Sequence, residues 1–228
     1  MRSGLFIFTL LSLTSLQALD DEGSQDKYIM EFSEPLLSIH QENLKVFLSG
    51  DEMATKGDGV FELLNVNTKL ENELKESHLS AEQAHYNDAQ KLMNFKKSVN
   101  LVFDTDEDRV KLRTENLSID LAEELVTSNY FTTLDLNGSH ITAKRFTYDL
   151  KEEAEFLVQF HEGEFIDKDS LENFGKAKSI KLLKDNTILL QGNASFNQGS
   201  LNIIAESIYY DYLEKSVIKS LNAKITNG

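Results

Sequence analysis

The chain has 228 residues, of which 40% are hydrophobic and 27% charged; its formal charge is −15 and it contains no cysteine. That length supports one large or two small β domains with a real core. Such acidity repels phosphate backbones and anionic membrane surfaces, which sets nucleic-acid binding aside, and the missing cysteines exclude disulfide frameworks, zinc–thiolate sites and thiol nucleophiles.

In chain order, Arg2 precedes an apolar run over residues 5–16, followed by Gln17-Ala18-Leu19-Asp20-Asp21-Glu22. A basic start, a short apolar stretch and a small residue before an acidic one describe a secretory signal over residues 1–18. The run is short for a membrane span, which needs roughly 20 residues. Cleavage after Ala18 is the expectation and an uncleaved anchor the alternative, because Leu16 stands where a small residue is usual. Both routes export the body of the protein. Residues 19–28 are polar and acidic and read as a flexible leader.

Beyond the leader the sequence alternates. Leu101/Phe103, Leu117/Ile119/Leu121, Phe146/Tyr148/Leu150, Phe156/Val158/Phe160, Ile208/Tyr210/Tyr212 and Leu221/Ala223/Ile225 are period-two runs that predict half-buried strands. Asp58-Gly59, Asn137-Gly138, Gly192-Asn193 and Gln198-Gly199 are predicted turns between them. Leu63, Val66, Leu70 and Leu74, set among Glu71, Glu73, Lys75 and Glu76, allow a short helix instead. The run over residues 216–225 has two lysines and no proline, and predicts a terminal edge strand free to pair.

A repeat emerges when these segments are stacked. Ala81-Glu-Gln-Ala-His-Tyr86-Asn87, Thr114-Glu-Asn-Leu-Ser-Ile119-Asp120, Ala143-Lys-Arg-Phe-Thr-Tyr148-Asp149 and Ala205-Glu-Ser-Ile-Tyr-Tyr210-Asp211 share one pattern. A small residue is followed five places later by a large apolar one, and then by Asp or Asn. Gly175-Lys-Ala177-Lys-Ser-Ile-Lys-Leu182 supplies a degenerate copy. A period of about 30 residues implies stacked units that bury one continuous core.

The repeat resembles that of the OstA-like lipopolysaccharide-transport family, the LptA and LptC periplasmic proteins. Leu79-Ser-Ala81-Glu-Gln-Ala84-His-Tyr86 with Leu92-Met-Asn-Phe95 is similar to an LptC signature, continued by Lys111 to Asp120 and Ile141 to Asp149. Leu183-Lys-Asp185-Asn-Thr-Ile-Leu-Leu-Gln-Gly192-Asn193-Ala194 and Leu201-Asn-Ile-Ile-Ala205 look more like LptA. The resemblance implies an all-β fold, an OstA-type β-jellyroll opening as a twisted two-sheet β-taco of stacked repeats. It implies an LptC-like jellyroll over residues 29–160 and LptA-like repeats over 161–228 that continue the same β stack. It further implies lipopolysaccharide as ligand, other bridge proteins joined by edge-strand pairing, and an inner-membrane lipopolysaccharide ABC transporter complex as partners, in the periplasm.

Alternation assigns the interior. The expected lipid-facing residues are Tyr86, Leu101, Phe103, Leu117, Ile119, Phe146, Tyr148, Phe156, Val158, Phe160, Ile188, Leu190, Phe196, Ile208 and Tyr210. Burying acyl chain against them gains about 0.8 kcal/mol per CH₂ without any charged pocket. The same residues also suit an ordinary filled core, and stacked β repeats also suit a secreted adhesin or a carrier of another lipid.

No catalytic residue, metal or cofactor is expected. Asp104, Asp106, Asp108 and Glu115 imitate a calcium loop, but Arg109 stands where glycine is required. His78, Glu82 and His85 would share a face only on a helix, and His40, His140 and His161 are isolated. No nucleophile elbow, phosphate loop or His-Glu-x-x-His is present.

Overall fold

The computed structural model describes residues 30–41, 43–55, 59–73, 75–105, 108–151, 156–170 and 172–227. Among these residues the regular structure is all strand. Seventeen segments follow in order: β1 (Met30–Ser33), β2 (Leu36–Gln41), β3 (Leu44–Ser49), β4 (Glu52–Thr55), β5 (Val60–Glu71) and β6 (Glu76–Asn87). Then come β7 (Leu92–Asp104), β8 (Arg109–Asp120), β9 (Leu125–Ser128), β10 (Thr132–Leu136), β11 (Ser139–Asp149) and β12 (Val158–Asp167). The last are β13 (Phe174–Leu182), β14 (Thr187–Gln198), β15 (Leu201–Asp211), β16 (Ser216–Leu221) and β17 (Lys224–Asn227).

Four couples are halves of one interrupted strand. β3 and β4 pair with the two ends of β5, and β2 and β1 pair with β3 and β4. β9 and β10 lie between β8 and β11, and β16 and β17 both pair with β15. Every pairing is antiparallel, and each full-length strand pairs with its neighbour along the chain, as in an all-β jellyroll of the OstA type. The sheet passes residues 160 and 161 inside β12 without interruption.

Each long strand carries one slip of phase at its middle. Inward residues run two apart, except at Leu63 to Val66, Ala81 to Ala84, Val99 after Phe95, Thr114 to Leu117, Ala143 to Phe146, Phe160 to Gly163, Ala177 to Ile180, Ala194 after Leu190 and Ala205 to Ile208. The unpaired outward residues there are largely polar, including Glu82, Lys97, Glu115, Lys144 and Glu162. Strands β5, β7, β12 and β14 make the slip with left-handed residues, Asn65, Lys97 with Ser98, Glu162, and Gly192 with Asn193. In β7 and β14 an extra residue shifts the register with both neighbours, and such a bulge bends a strand and raises its twist; the β5–β6 and β11–β12 ladders kink together and keep their register. The bend recurs strand after strand, so the sheet folds along its midline and both leaves turn their apolar faces to one interior.

The repeat's residues have definite roles. The small residue, as in Ala81, Thr114, Ala143 and Ala205, is the inward residue just before the bend, and the large one is the last before the turn. The closing Asp or Asn builds that turn. Asp120 accepts from the N–H groups of Ala122 and Glu123, and Asp211 from those of Leu213 and Glu214. Asn87 and Asp149 accept likewise from Gln90 and Lys151. These are Asx turns, in which a short polar side chain substitutes for a backbone acceptor. The degenerate copy holds in β13, where Ala177, Ile180 and Leu182 take the same places.

Three expectations are corrected. The segment of Leu63, Val66 and Leu70 is strand β5, and its helix-like spacing of three is a kink at the left-handed Asn65, φ +50°, across which the ladder to β6 keeps its register; Leu74 lies outside the described residues. Gly192-Asn193 is the bulge inside β14, with register shifting between Gln191 and Ala194, while Asn137-Gly138 does turn between β10 and β11. The run over 216–225 is two strands, broken at Asn222, φ +54°, and Ala223. The signal and leader fall outside the described residues.

Candidate functional site

The interior is one apolar cluster running the length of the sheet, from Leu37 to Tyr212. Fourteen of the fifteen expected residues lie in it, none more than 3% exposed. The exception is Phe156. It precedes β12, is half-buried, and has the Lys181 ammonium 5.1 Å from its ring centroid. Alternation from Val158 and Phe160 does not extend to it because the ladder begins only at Val158.

The hairpin turns form two rims, and the rims meet without a strand ladder. On one side Asn72 Nδ2 donates to the Leu150 carbonyl at 2.7 Å and Lys75 Nζ to that of Lys151 at 3.3 Å. On the other, Lys215 Nζ donates to the Asn137 carbonyl at 3.0 Å and reaches Asp167 Oδ1 at 3.4 Å, while Gln198 Nε2 donates to the Lys215 carbonyl. Repeat tyrosines cross beneath. Tyr148 Oη lies 3.0 Å from Ser77 Oγ, and its ring stacks on Phe103 at 4.6 Å. Tyr210 Oη donates to Asp167 Oδ2 at 2.9 Å. Burial pushes the Tyr148 phenol up to about 12, with the Ser77 hydrogen bond pulling the other way. Burial also raises the Asp167 carboxyl, but hydrogen bonds from Tyr210 and Asp169 N–H, with Lys215, outweigh it and hold the group below its usual range. The sequence reading treated Tyr148 and Tyr210 as wall only; their hydroxyls stitch the leaves, and the repeated tyrosine at that place was the available signal.

The two ends of the interior differ. At the N-terminal edge, Leu37 and Ile39 of β2 are 5% and 2% exposed. At the C-terminal edge, Ile225 stands opposite the inward Ile203 yet is 58% exposed, with Ile218 and Leu221 also exposed. β16 and β17 pair on one side only, with β15, among the described residues.

The outer face is largely polar, with Leu36, Leu64 and Ile204 exposed on it. A depression of about 320 Å³ there is lined by Leu36, Phe47, Lys69, His78, Asn100 and Val102, and Thr68 and Leu79 also border it. Asp135 gathers Arg113 at 2.9 Å, His140 at 2.8 Å and Lys168 at 2.5 Å. Burial raises its carboxyl, but hydrogen bonds from Lys168 and His140 overcome this and bring it down to about 2. A depressed carboxylate stabilises the fold above its unfolded value, near 3.9, and loses that contribution as pH falls toward 2. The unfolding free energy read from urea titrations should therefore drop across this window by on the order of 1–2 kcal/mol more than in Asp135→Asn, and parallel acid limbs would refute the assignment.

His78 and His85 both point outward on β6, roughly 23 Å apart along an extended strand, so they do not converge. Asp104 and Asp108 flank the β7–β8 turn, where Asp108 N–H donates to Thr105 Oγ1; Asp106 lies outside the described residues. Among the described residues no group of three His, Asp or Glu side chains gathers to hold a metal.

These features define an antiparallel β-repeat protein, creased along its strand midpoints around an apolar interior uncovered at one end. A family model for lipopolysaccharide-assembly, LptC-related proteins matches residues 18–159, more than half the chain, and the chain belongs to that family. No curated protein matches it.

Proposed function

We propose that this protein is a non-enzymatic periplasmic component of the lipopolysaccharide export bridge. It holds the acyl chains of lipopolysaccharide between its leaves and passes them from the inner toward the outer membrane. One observation carries this reading: a continuous apolar interior left uncovered at its C-terminal end, in a chain of the LptC-related family. The inner-membrane lipopolysaccharide ABC transporter complex supplies the lipid, and another OstA-like bridge protein adds a strand to β16 and β17. Residues 161–228 extend the slide with LptA-like repeats.

Photo-crosslinking tests it in living cells. A benzophenone amino acid at Phe103, Phe146, Tyr148 or Phe196, all buried inward, should form lipopolysaccharide adducts. At Thr147, the outward neighbour on β11, it should form none. Equal labelling at both kinds of position, or none at any, would remove the slide.

A further inference from the structure

The apolar interior contains a hydroxyl with nothing to bond. Thr68 faces inward from β5, is 3% exposed, and its Oγ1 has no hydrogen-bond partner. Its cross-strand neighbours are Leu48 on β3 and Leu79 on β6, both buried and neither able to bond it. A buried hydroxyl in such a place is costly unless something pairs with it. A threonine here therefore costs the empty fold more than the isosteric valine would.

Thr68 is not alone on that wall. Leu70, two residues on, pairs with Ser77, so Thr68 and Ser77 are diagonal neighbours on one face, roughly 7 Å apart. Ser77 is 1% exposed and its Oγ meets the Tyr148 hydroxyl from the opposite leaf. Phe103, stacked on Tyr148, and Leu79 supply apolar surface on either side. The arrangement is an apolar interior wall with a short polar row across it: one hydroxyl without a partner and two that are paired to each other and can exchange partners.

We propose that Thr68, with Ser77 and Tyr148, forms a subsite that reads an oxygen carried on the acyl chain itself, and so favours hydroxylated acyl chains over plain ones. The proposal rests on the carrier reading and names the chemistry of its ligand. The chain hydroxyl donates to or accepts from Thr68 Oγ1, while the methylenes lie against Phe103 and Leu79. A site built to bond a hydroxyl rejects the analogue lacking it, because its own polar group is then left unpaired.

The test uses the mature full chain and two probes of equal length, 3-hydroxymyristate and myristate, displacing a fluorescent apolar reporter. The protein should bind the hydroxylated acid roughly five- to tenfold more tightly, the ratio one hydrogen bond supplies. Thr68→Val should bind both acids alike, with a thermal midpoint no lower than the parent's. Ser77→Ala should shrink the preference without abolishing it. Equal affinity for the two acids in the parent, or a preference surviving in Thr68→Val, overturns the subsite while leaving the carrier intact. Failure of either acid to displace the reporter from the parent removes the carrier reading and the subsite together.

Discussion

Phe165→Ala should lower stability by about 3–5 kcal/mol, the range for deleting a fully buried aromatic ring. Phe165 is 0% exposed on β12. Its ring lies 4.9 Å from Tyr210 and 6.0 Å from Phe196, so it joins the leaf of β15 near the turn to the leaf of β14 near the opposite rim. Collapse around the vacancy is restricted from the neighbouring strand, where Gly175 already has no room for a Cβ: one there would sit 2.5 Å from Leu190 and 2.8 Å from Phe196. In a chain of this size the loss corresponds to roughly 10 °C in thermal midpoint. Scanning calorimetry checks it, and a fall of less than about 3 °C would show that the leaves do not depend on this contact.

Proline at the C-terminal edge should separate folding from association. Lys224 and Ile225 pair with Ile204 and Ile203 of β15. In an antiparallel pair, one of two successive residues directs its N–H at the partner and the next directs it away. Proline at the inward-bonding position removes a ladder donor and should cost about 1–3 kcal/mol. At the other position the N–H faces the free edge, so stability should stay within about 1 kcal/mol of the parent. That second variant should nonetheless lose head-to-tail association and lipid transfer, since the missing donor is the one an added strand would use. Size-exclusion and transfer assays on Lys224→Pro and Ile225→Pro decide it. A stable variant that associates normally places the interface elsewhere. Ala223, which looked from alternation like a ladder position, falls in the break between β16 and β17 and is not informative.

Much of the wall was legible because inward and outward parity is a local property of a strand. Phe103, Tyr148, Phe160 and Tyr210 needed only alternation to be placed, and each is buried. The repeat was legible too, but its meaning was not. The spacing of three between Ala143 and Phe146 is visible in the letters, yet it reads as a bend only once both residues are seen facing one interior. The same blindness left a helix open for Leu63, Val66 and Leu70, since a kinked strand and one helical turn both place apolar residues three apart. Gly192-Asn193 misled for a related reason: two left-handed residues suit a hairpin turn and a mid-strand bulge equally, and the flanking ladder, not the dipeptide, chooses.

The amino-acid sequence by itself determined that this is an acidic, all-β repeat protein with a nearly continuous apolar wall, because alternation, turn chemistry and period are each written within a dozen residues. Only the tertiary structure decided how the wall closes. Asn72 meets Leu150, and Lys215 meets Asn137, each across 78 residues of chain. Which turns meet depends on the bend and twist accumulated over many strands, and no local pattern records that sum. The same holds for Thr68: its hydroxyl is unexceptional in a strand, and it becomes a candidate subsite only when its two cross-strand neighbours prove to be leucines.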